Sequence, residues 1–112
     1  MGIYRQFNDE QKESHLEQLS AEAIDKLREW MPAKSWRIHI HEPGTFLDWH
    51  VAHGNYIITV LSGLLEITVT DGTVLLCEPG TMRMTSDKEG RGHIGRAVGD
   101  DPCVVLMVDM GE

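Results

Sequence analysis

The stretch Pro43 to Gly63, PGTFLDWHVAHGNYIITVLSG, decides how the rest of the chain reads. It opens on a Pro-Gly pair, runs through an apolar segment over about residues 46–52, breaks at Gly54-Asn55, resumes over about 56–61 and closes at Ser62-Gly63. Proline presets one turn dihedral and glycine accepts the left-handed one, so each pair reverses the chain between two extended segments. The same beat continues toward the C-terminus. Runs rich in Val, Ile, Thr and Leu cover about residues 64–70, 73–78, 81–85, 93–98 and 103–109. Asp71-Gly72, Pro79-Gly80, Glu89-Gly90 and Gly99-Asp100-Asp101-Pro102 separate them. In the other direction, Trp36, Ile38 and Ile40 alternate with Arg37, His39 and His41, the period of a strand. About eight short strands at even spacing, each bounded by turn residues, predict an all-β sandwich or barrel.

Residues 1–33 read differently. Leu16, Leu19, Ala23, Ile24, Leu27 and Trp30 recur at steps of three and four, one face of an amphipathic helix. Ser20 is a plausible N-cap, because its hydroxyl can accept from an orphan amide of the first turn. Pro32 stops the helix, since it lacks an amide hydrogen and restricts the residue before it. Asn8 or Asp9 would cap an earlier helical turn. The expected organisation is a helical extension over residues 1–34, packed on a barrel over residues 35–112. The charged connection Ser86 to Gly92 reads as a flap at one end of that barrel.

Composition narrows the partners. At 112 residues the chain has room for one domain. No apolar run approaches the roughly 20 residues of a membrane-spanning helix. The N-terminal Met1-Gly2-Ile3-Tyr4-Arg5-Gln6 lacks the apolar centre of a secretory signal, so a cytoplasmic location is expected. Acidic residues outnumber basic ones 18 to 10, a formal charge of −8, which argues against nucleic acid and bare anionic membrane as partners. Arg83, Lys88, Arg91 and Arg96 cluster late in the chain. Such a segment can admit a small anionic ligand, although a solvated basic loop is the simpler expectation. Cys77 and Cys103 lie in apolar runs with no His or Cys at metal spacing beside them, and read as reduced core residues.

Within Pro43 to Gly63 the pattern of residues resembles the first motif of the cupins. Gly44 is followed by five residues and then His50, and Gly63 closes the motif at the expected distance. Cys77-Glu78-Pro79-Gly80-Thr81 resembles the turn that opens the second cupin motif, and His93 falls at that motif's histidine. The chain is thus similar to a small single-domain cupin of the cupin-2 type, over about residues 36–109. The resemblance implies a double-stranded β-helix, a jelly-roll-like barrel, here with a short helical segment before it. It also implies a metal centre of two histidines and a glutamate from the first motif and one histidine from the second. This sequence departs from that set, with Ala52 at the second histidine and Tyr56 at the glutamate. Only His50 and His93 remain of the four.

The candidate site residues follow. His50 and His93 stand at motif positions, where an imidazole in a barrel mouth binds metal or moves a proton near neutral pH; the alternative is a pair of hydrogen-bonded core histidines. The family placement sets His93 across the barrel from His50. His53, one residue off the motif, reads as a turn histidine unless a bulge at Gly54 turns it inward. His39 and His41 share one strand face, a good two-ligand geometry. They reach the lumen if Trp36, Ile38 and Ile40 pack under the N-terminal helix, and not if those three fill the lumen themselves. Tyr56 cannot supply a carboxylate, but its hydroxyl can donate, accept or act as a general acid. Some cupin sugar epimerases pair a histidine base with a tyrosine acid and no metal, which gives Tyr56 an enzymatic reading. The alternative is a barrel-lining tyrosine bound to water. Trp49 points away from His50 and fits an interface or a packed outer layer.

Three functional readings remain open. One is a metal-dependent cupin in which Zn, Ni, Fe or Mn is held by His50 and His93, with His39, His41 or His53 as third ligand. The second is a metal-free acid–base enzyme of isomerase or epimerase type, with His50, His93 and Tyr56 as catalytic candidates, acting on a carbohydrate-like or keto-acid ligand. The third is a non-catalytic sensing domain. In all three a small molecule binds in the barrel, with Tyr56, His39 and His41 as ligand contacts. A homodimer formed through a sheet edge is expected.

Overall fold

The computed structural model describes residues 2–112, and strands dominate it. From Ser35 onward eight strands follow the turn punctuation of the sequence: β3 (Ser35–His41), β4 (Phe46–His50), β5 (Tyr56–Ser62), β6 (Leu64–Val69), β7 (Val74–Cys77), β8 (Met82–Thr85), β9 (His93–Val98) and β10 (Cys103–Asp109). Two further strands precede them, β1 (Ile3–Asn8) and β2 (Ser14–Gln18). They pack as two sheets. One has six strands in the order β2-β1-β8-β5-β10-β3, and the other has four in the order β4-β9-β6-β7. All pairings are antiparallel except β1 with β8, which is parallel. Val60, Leu65, Ile67, Val69, Ala97 and Val105 pack between the sheets, together with Cys77 and Cys103. Both cysteines are free and buried, and burial pushes their thiols up from the ordinary range.

The N-terminal third corrects the helical expectation. Leu16 lies in β2 and packs on the core from a strand, and β1 extends the large sheet along β8. Asp9 caps no helical turn: its Oδ1 accepts from the amides of Gln11 and Glu13, which closes the β1–β2 hairpin. Two leucines three residues apart fit a short strand as well as a helix, and only the partner strand decides between them. Helix remains in one place, α1 (Ala21–Asp25), followed by a 3-10 turn at Lys26–Arg28. Ser20 caps α1 as expected, its Oγ accepting from the Ala23 amide at 3.1 Å. No residue of α1 is buried, and Trp30 is wholly exposed. Because β2 and β3 are opposite edges of the six-stranded sheet, residues 19–34 must span five strand spacings, about 24 Å. No helix among the described residues is long and apolar enough to cross a membrane.

The Ser86–Gly92 connection is held down. The Ser86 amide donates to the Gln6 carbonyl at 2.8 Å, Asp87 is fully buried, and Asn8 makes two hydrogen bonds to the Glu89 backbone. The flap reading fails because the N-terminal hairpin, unforeseen as strands, supplies those partners.

Candidate functional site

The lumen between the sheets opens into an outer pocket of about 440 Å³ and a deeper chamber of about 200 Å³. His50, His93, Arg37, Ile58 and Met107 line both. His53 and Tyr56 line the outer pocket, whereas His39 and His41 line the inner chamber. Five of the six histidines of the chain, all but His15, therefore face one continuous space. His53 is exposed at its mouth.

His50 and His93 are brought together by strand register. They are directly paired between β4 and β9, beyond an irregularity that separates them from the Leu47–Gly95 pair. Opposed residues of adjacent strands stand within side-chain contact, and the two ring centroids are 4.3 Å apart. His93 is thus the neighbour of His50 on one sheet, not its counterpart across the barrel. The His50 Nδ1 donates to the Asp48 carbonyl at 2.8 Å, which leaves Nε2 as its free nitrogen. The His93 Nδ1 donates to Asp87 Oδ2 at 2.7 Å, which likewise leaves Nε2 free.

Asp87 belongs to a buried chain of polar groups. The Gln6 amide donates to both of its carboxylate oxygens, at 3.2 and 3.1 Å, and Arg83 Nη1 donates to Gln6 Oε1 at 2.7 Å. Gln6 and Asp87 are 0% exposed and Arg83 is 3% exposed. The order Arg83–Gln6–Asp87–His93 joins β1, β8, the loop after β8, and β9. A carboxylate on one ring nitrogen fixes the tautomer and aims the other nitrogen. Burial holds the His93 imidazole below its ordinary range, opposed by the Asp87 hydrogen bond and reinforced by the nearby Arg83 and His50 charges.

The second histidine pair sits on β3. His39 and His41 face the lumen with ring centroids 4.5 Å apart, and Arg37 donates to His39 Nδ1 at 3.2 Å. Burial, then the charges of His39, Arg83 and Arg37, lower the His41 imidazole. Ile38 and Ile40 fill neither the lumen nor a covered layer, being 46% and 54% exposed, and Trp36, 69% exposed, stands at the rim of the outer pocket. β3 is a sheet edge, and its outer face is left to solvent.

Sequence reasoning found the histidines and Tyr56 but missed Gln6, Asp87 and Arg83. Arg83 does not belong to a solvated loop; it is an inward residue of β8. The alternation Met82-Arg83-Met84-Thr85 carried that signal, since one of its two faces had to enter the barrel. Arg91 and Arg96 do stay exposed, over the rings of Trp49 at 4.1 Å and Phe46 at 5.2 Å. Thr85 adds a buried hydroxyl without a hydrogen-bond partner, in a residue that lines the outer pocket.

The residues present do not fit the metal centre that the resemblance implies. Among the described residues no three His, Cys, Asp or Glu groups stand at a spacing that would hold a metal ion. The donors form two separate imidazole pairs, and the guanidiniums of Arg37 and Arg83 line the same chamber, where their charge opposes a cation.

No protein-family model matches the chain, and neither does any curated protein sequence. Solved structures do match. A conserved protein with a double-stranded β-helix domain from Klebsiella pneumoniae is 28% identical, with a TM-score of 0.53 over 69% of this chain and 67% of that one. A predicted oxalate decarboxylase from Thermotoga maritima is 17% identical, with a TM-score of 0.57 over 98% of this chain and 93% of that one. A sugar phosphate isomerase of the cupin superfamily from Silicibacter pomeroyi is 20% identical, with a TM-score of 0.57 over 69% of this chain, which spans 50% of that longer protein. The alternating inward face of the two sheets and these structural matches agree that the chain has the double-stranded β-helix fold.

Proposed function

We propose that the lumen binds a small organic molecule and moves a proton on it, with His93 as base, and that this chemistry runs without a metal. The observation that carries the reading is the Asp87–His93–His50 arrangement. The His93 Nδ1 is committed to a buried carboxylate, so the lone pair of Nε2 faces the pocket. His50, 4.3 Å away between ring centroids, offers a second Nε2. Two imidazoles this close resist carrying positive charge together, so a cation on one ring favours a neutral neighbour. One ring then donates while the other accepts, the division of labour an isomerisation needs.

The substrate class is a keto acid or carbohydrate with a hydrogen on the carbon next to a carbonyl. In the reaction His93 Nε2 takes that hydrogen as a proton. The C–H pair becomes the C=C of an enol, and the carbonyl oxygen receives a proton from His50 or Tyr56. Where the α-carbon carries a hydroxyl, the resulting enediol isomerises: that hydroxyl gives up its proton and becomes the new carbonyl, while His93 Nε2 returns its proton to the former carbonyl carbon; a keto acid without that hydroxyl regains the proton at its α-carbon and shows exchange alone.

The test is deuterium wash-in. The protein is incubated in D2O with a panel of keto acids and aldose or ketose sugars, and loss of the α-proton is followed by NMR. Exchange of at least one compound, lost in His93→Gln, supports the reading. Near-stoichiometric metal in protein purified without chelator, absent from a His50→Ala, His93→Ala variant, would overturn its metal-free part and restore a histidine metal site. A folded protein that exchanges nothing across the panel would leave a binding or sensing role.

The assembly proposed is a homodimer formed by edge-to-edge pairing of β3. Its seven residues leave one backbone edge unpaired, and Trp36, Ile38 and Ile40 are exposed beside it. A two-fold axis across this strand would cover both copies' edges with one self-complementary contact.

A further inference from the structure

We infer that the inner chamber is a carboxylate site in which Arg83 is the counter-charge, so that the bound molecule is a small organic acid. This rests on the proposed reading only in taking the lumen as the ligand site.

The chain as a whole carries a formal charge of −8, yet the wall of the inner chamber has the opposite character. Arg37 and Arg83 line it, with His39, His41, His50 and His93, and no carboxylate does. The rest of the wall is apolar, including Leu65, Ile67 and Val105. Asp87, the acid nearest in the network, has its oxygens engaged by Gln6 and His93 and does not line the chamber.

Arg83 is the unusual element. A buried guanidinium is ordinarily paired with a carboxylate, because an unpaired charge in a low-dielectric interior is costly. Here its one side-chain oxygen partner is the neutral amide of Gln6, the Cys77 thiol lies beside it, and the Asp87 carboxylate attracts it only from beyond Gln6. Among the described residues no carboxylate lies within ion-pair distance of it. A guanidinium carries five N–H donors in a planar fork, which suits a carboxylate. Gln6 takes one of these through Nη1. A ligand carboxylate in the chamber would supply the missing anion. The Arg37–His39 contact adds a second source of donors: Nδ1 of His39 accepts from Arg37, so Nε2 carries the ring hydrogen of the neutral form. The apolar remainder of the wall suits a short carbon chain better than a hydrated phosphate. An acid seated there would lie beside His50 and His93, which line both spaces.

The experiment is calorimetric titration of the full-length protein with acetate, pyruvate, malonate and inorganic phosphate at low ionic strength. The variants Arg83→Gln, Arg37→Gln and Arg91→Gln are run alongside, with circular dichroism to confirm folding. The expected result is saturable one-to-one binding of at least one carboxylate, weakened at least tenfold in Arg83→Gln and by a smaller factor in Arg37→Gln. Binding is retained in Arg91→Gln, whose exposed guanidinium lies over the Trp49 ring and lines neither space. If Arg83→Gln does not fold, the wild-type readout is the histidine ring NMR signals. Carboxylate must then shift His39 and His41 at the chamber wall and leave His15 unmoved. Absence of saturable carboxylate binding, preference for phosphate over every carboxylate, or unchanged affinity in a folded Arg83→Gln overturns the inference. Carboxylate binding without any deuterium exchange would sink the catalytic reading and leave this one standing; exchange of a neutral sugar without carboxylate binding would do the reverse.

Discussion

Asp87 and His93 lie six residues apart in sequence and 2.7 Å apart in space, joined by a hydrogen bond that is closed to solvent. The loop between them would not hold this geometry alone. Gln6, from the first strand of the chain, donates to both carboxylate oxygens and fixes Asp87 from the far side. Arg83 in turn fixes Gln6. The catalytic proposal therefore depends on the N-terminal strand as much as on the cupin-like motifs.

Replacing Asp87 by Asn keeps the shape and removes the charge. Arg83 then loses the attraction of the Asp87 charge, and the His93 Nδ1 keeps at most a neutral acceptor in place of a carboxylate. Losing a buried hydrogen bond to a charged group costs about 1.5–3 kcal/mol, to be read from urea unfolding midpoints. His93→Gln should be milder for stability but should lower the deuterium exchange rate by about 10²–10⁴-fold. An Asp87→Asn protein as stable as wild type would show that the network does not hold the site.

The histidines should separate by titration. His15 bridges Asp9 and Asp71, each at 2.6 Å, and these carboxylates raise it above the ordinary 6.5, hydrogen bonding to Asp9 leading. Burial lowers His41 and His93 below that value. Ring NMR signals followed from pH 5 to 8 should show His15 titrating last as pH rises, and the other two first. A His93 that titrates above 6.5 would contradict the desolvated geometry.

These shifts set opposite slopes in stability. For His41 and His93 the unfolded chain takes up protons first as pH falls below 6.5. Stability is therefore lost on acidification between 6.5 and their lower folded values. For His15 the folded chain holds the proton longer, so its contribution is full below 6.5 and is lost as pH rises through its folded value. Unfolding midpoints measured across this range should drop less steeply on the acid side in His93→Gln. They should drop less steeply on the alkaline side in His15→Asn.

Gly92 precedes His93 at a backbone φ of +76°, and a Cβ there would collide with the carbonyl of His50 and the backbone of Val51. Gly44 has a similar φ of +82° with nothing within 4 Å of the added carbon. Gly44→Ala thus measures backbone strain alone, about 1 kcal/mol. Gly92→Ala should cost more, by thermal or urea unfolding, and should perturb the His50 ring signals as well. Equal costs would mean that the β4–β9 approach is not tight at the histidine pair.

The exposed face of β3 predicts its own outcome. An Ile38→Lys, Ile40→Glu variant should run at half the wild-type mass in light scattering while retaining carboxylate binding, since neither residue lines the lumen. A wild-type protein that is monomeric at the same concentration would refute the edge-paired dimer.

The local pattern of the chain was enough for the strands from Ser35 onward. Turn formation by Pro43-Gly44, Gly54-Asn55 or Pro79-Gly80 is a property of the dipeptides themselves, and the alternation between them marks two-faced strands. It was also enough for the identity of the main imidazoles, because residue type and motif spacing are local facts. It was not enough for residues 3–18. Whether Leu16 belongs to a helix or a strand depends on a partner, and the partner of β1 is β8, distant along the chain. Nor could it pair His50 with His93 on one sheet, expose Trp36, Ile38 and Ile40 outward, or assemble Arg83, Gln6, Asp87 and His93 into one buried chain. Those relationships are matters of sheet order and register, which depend on contacts between segments far apart in sequence and are decided when the whole barrel closes.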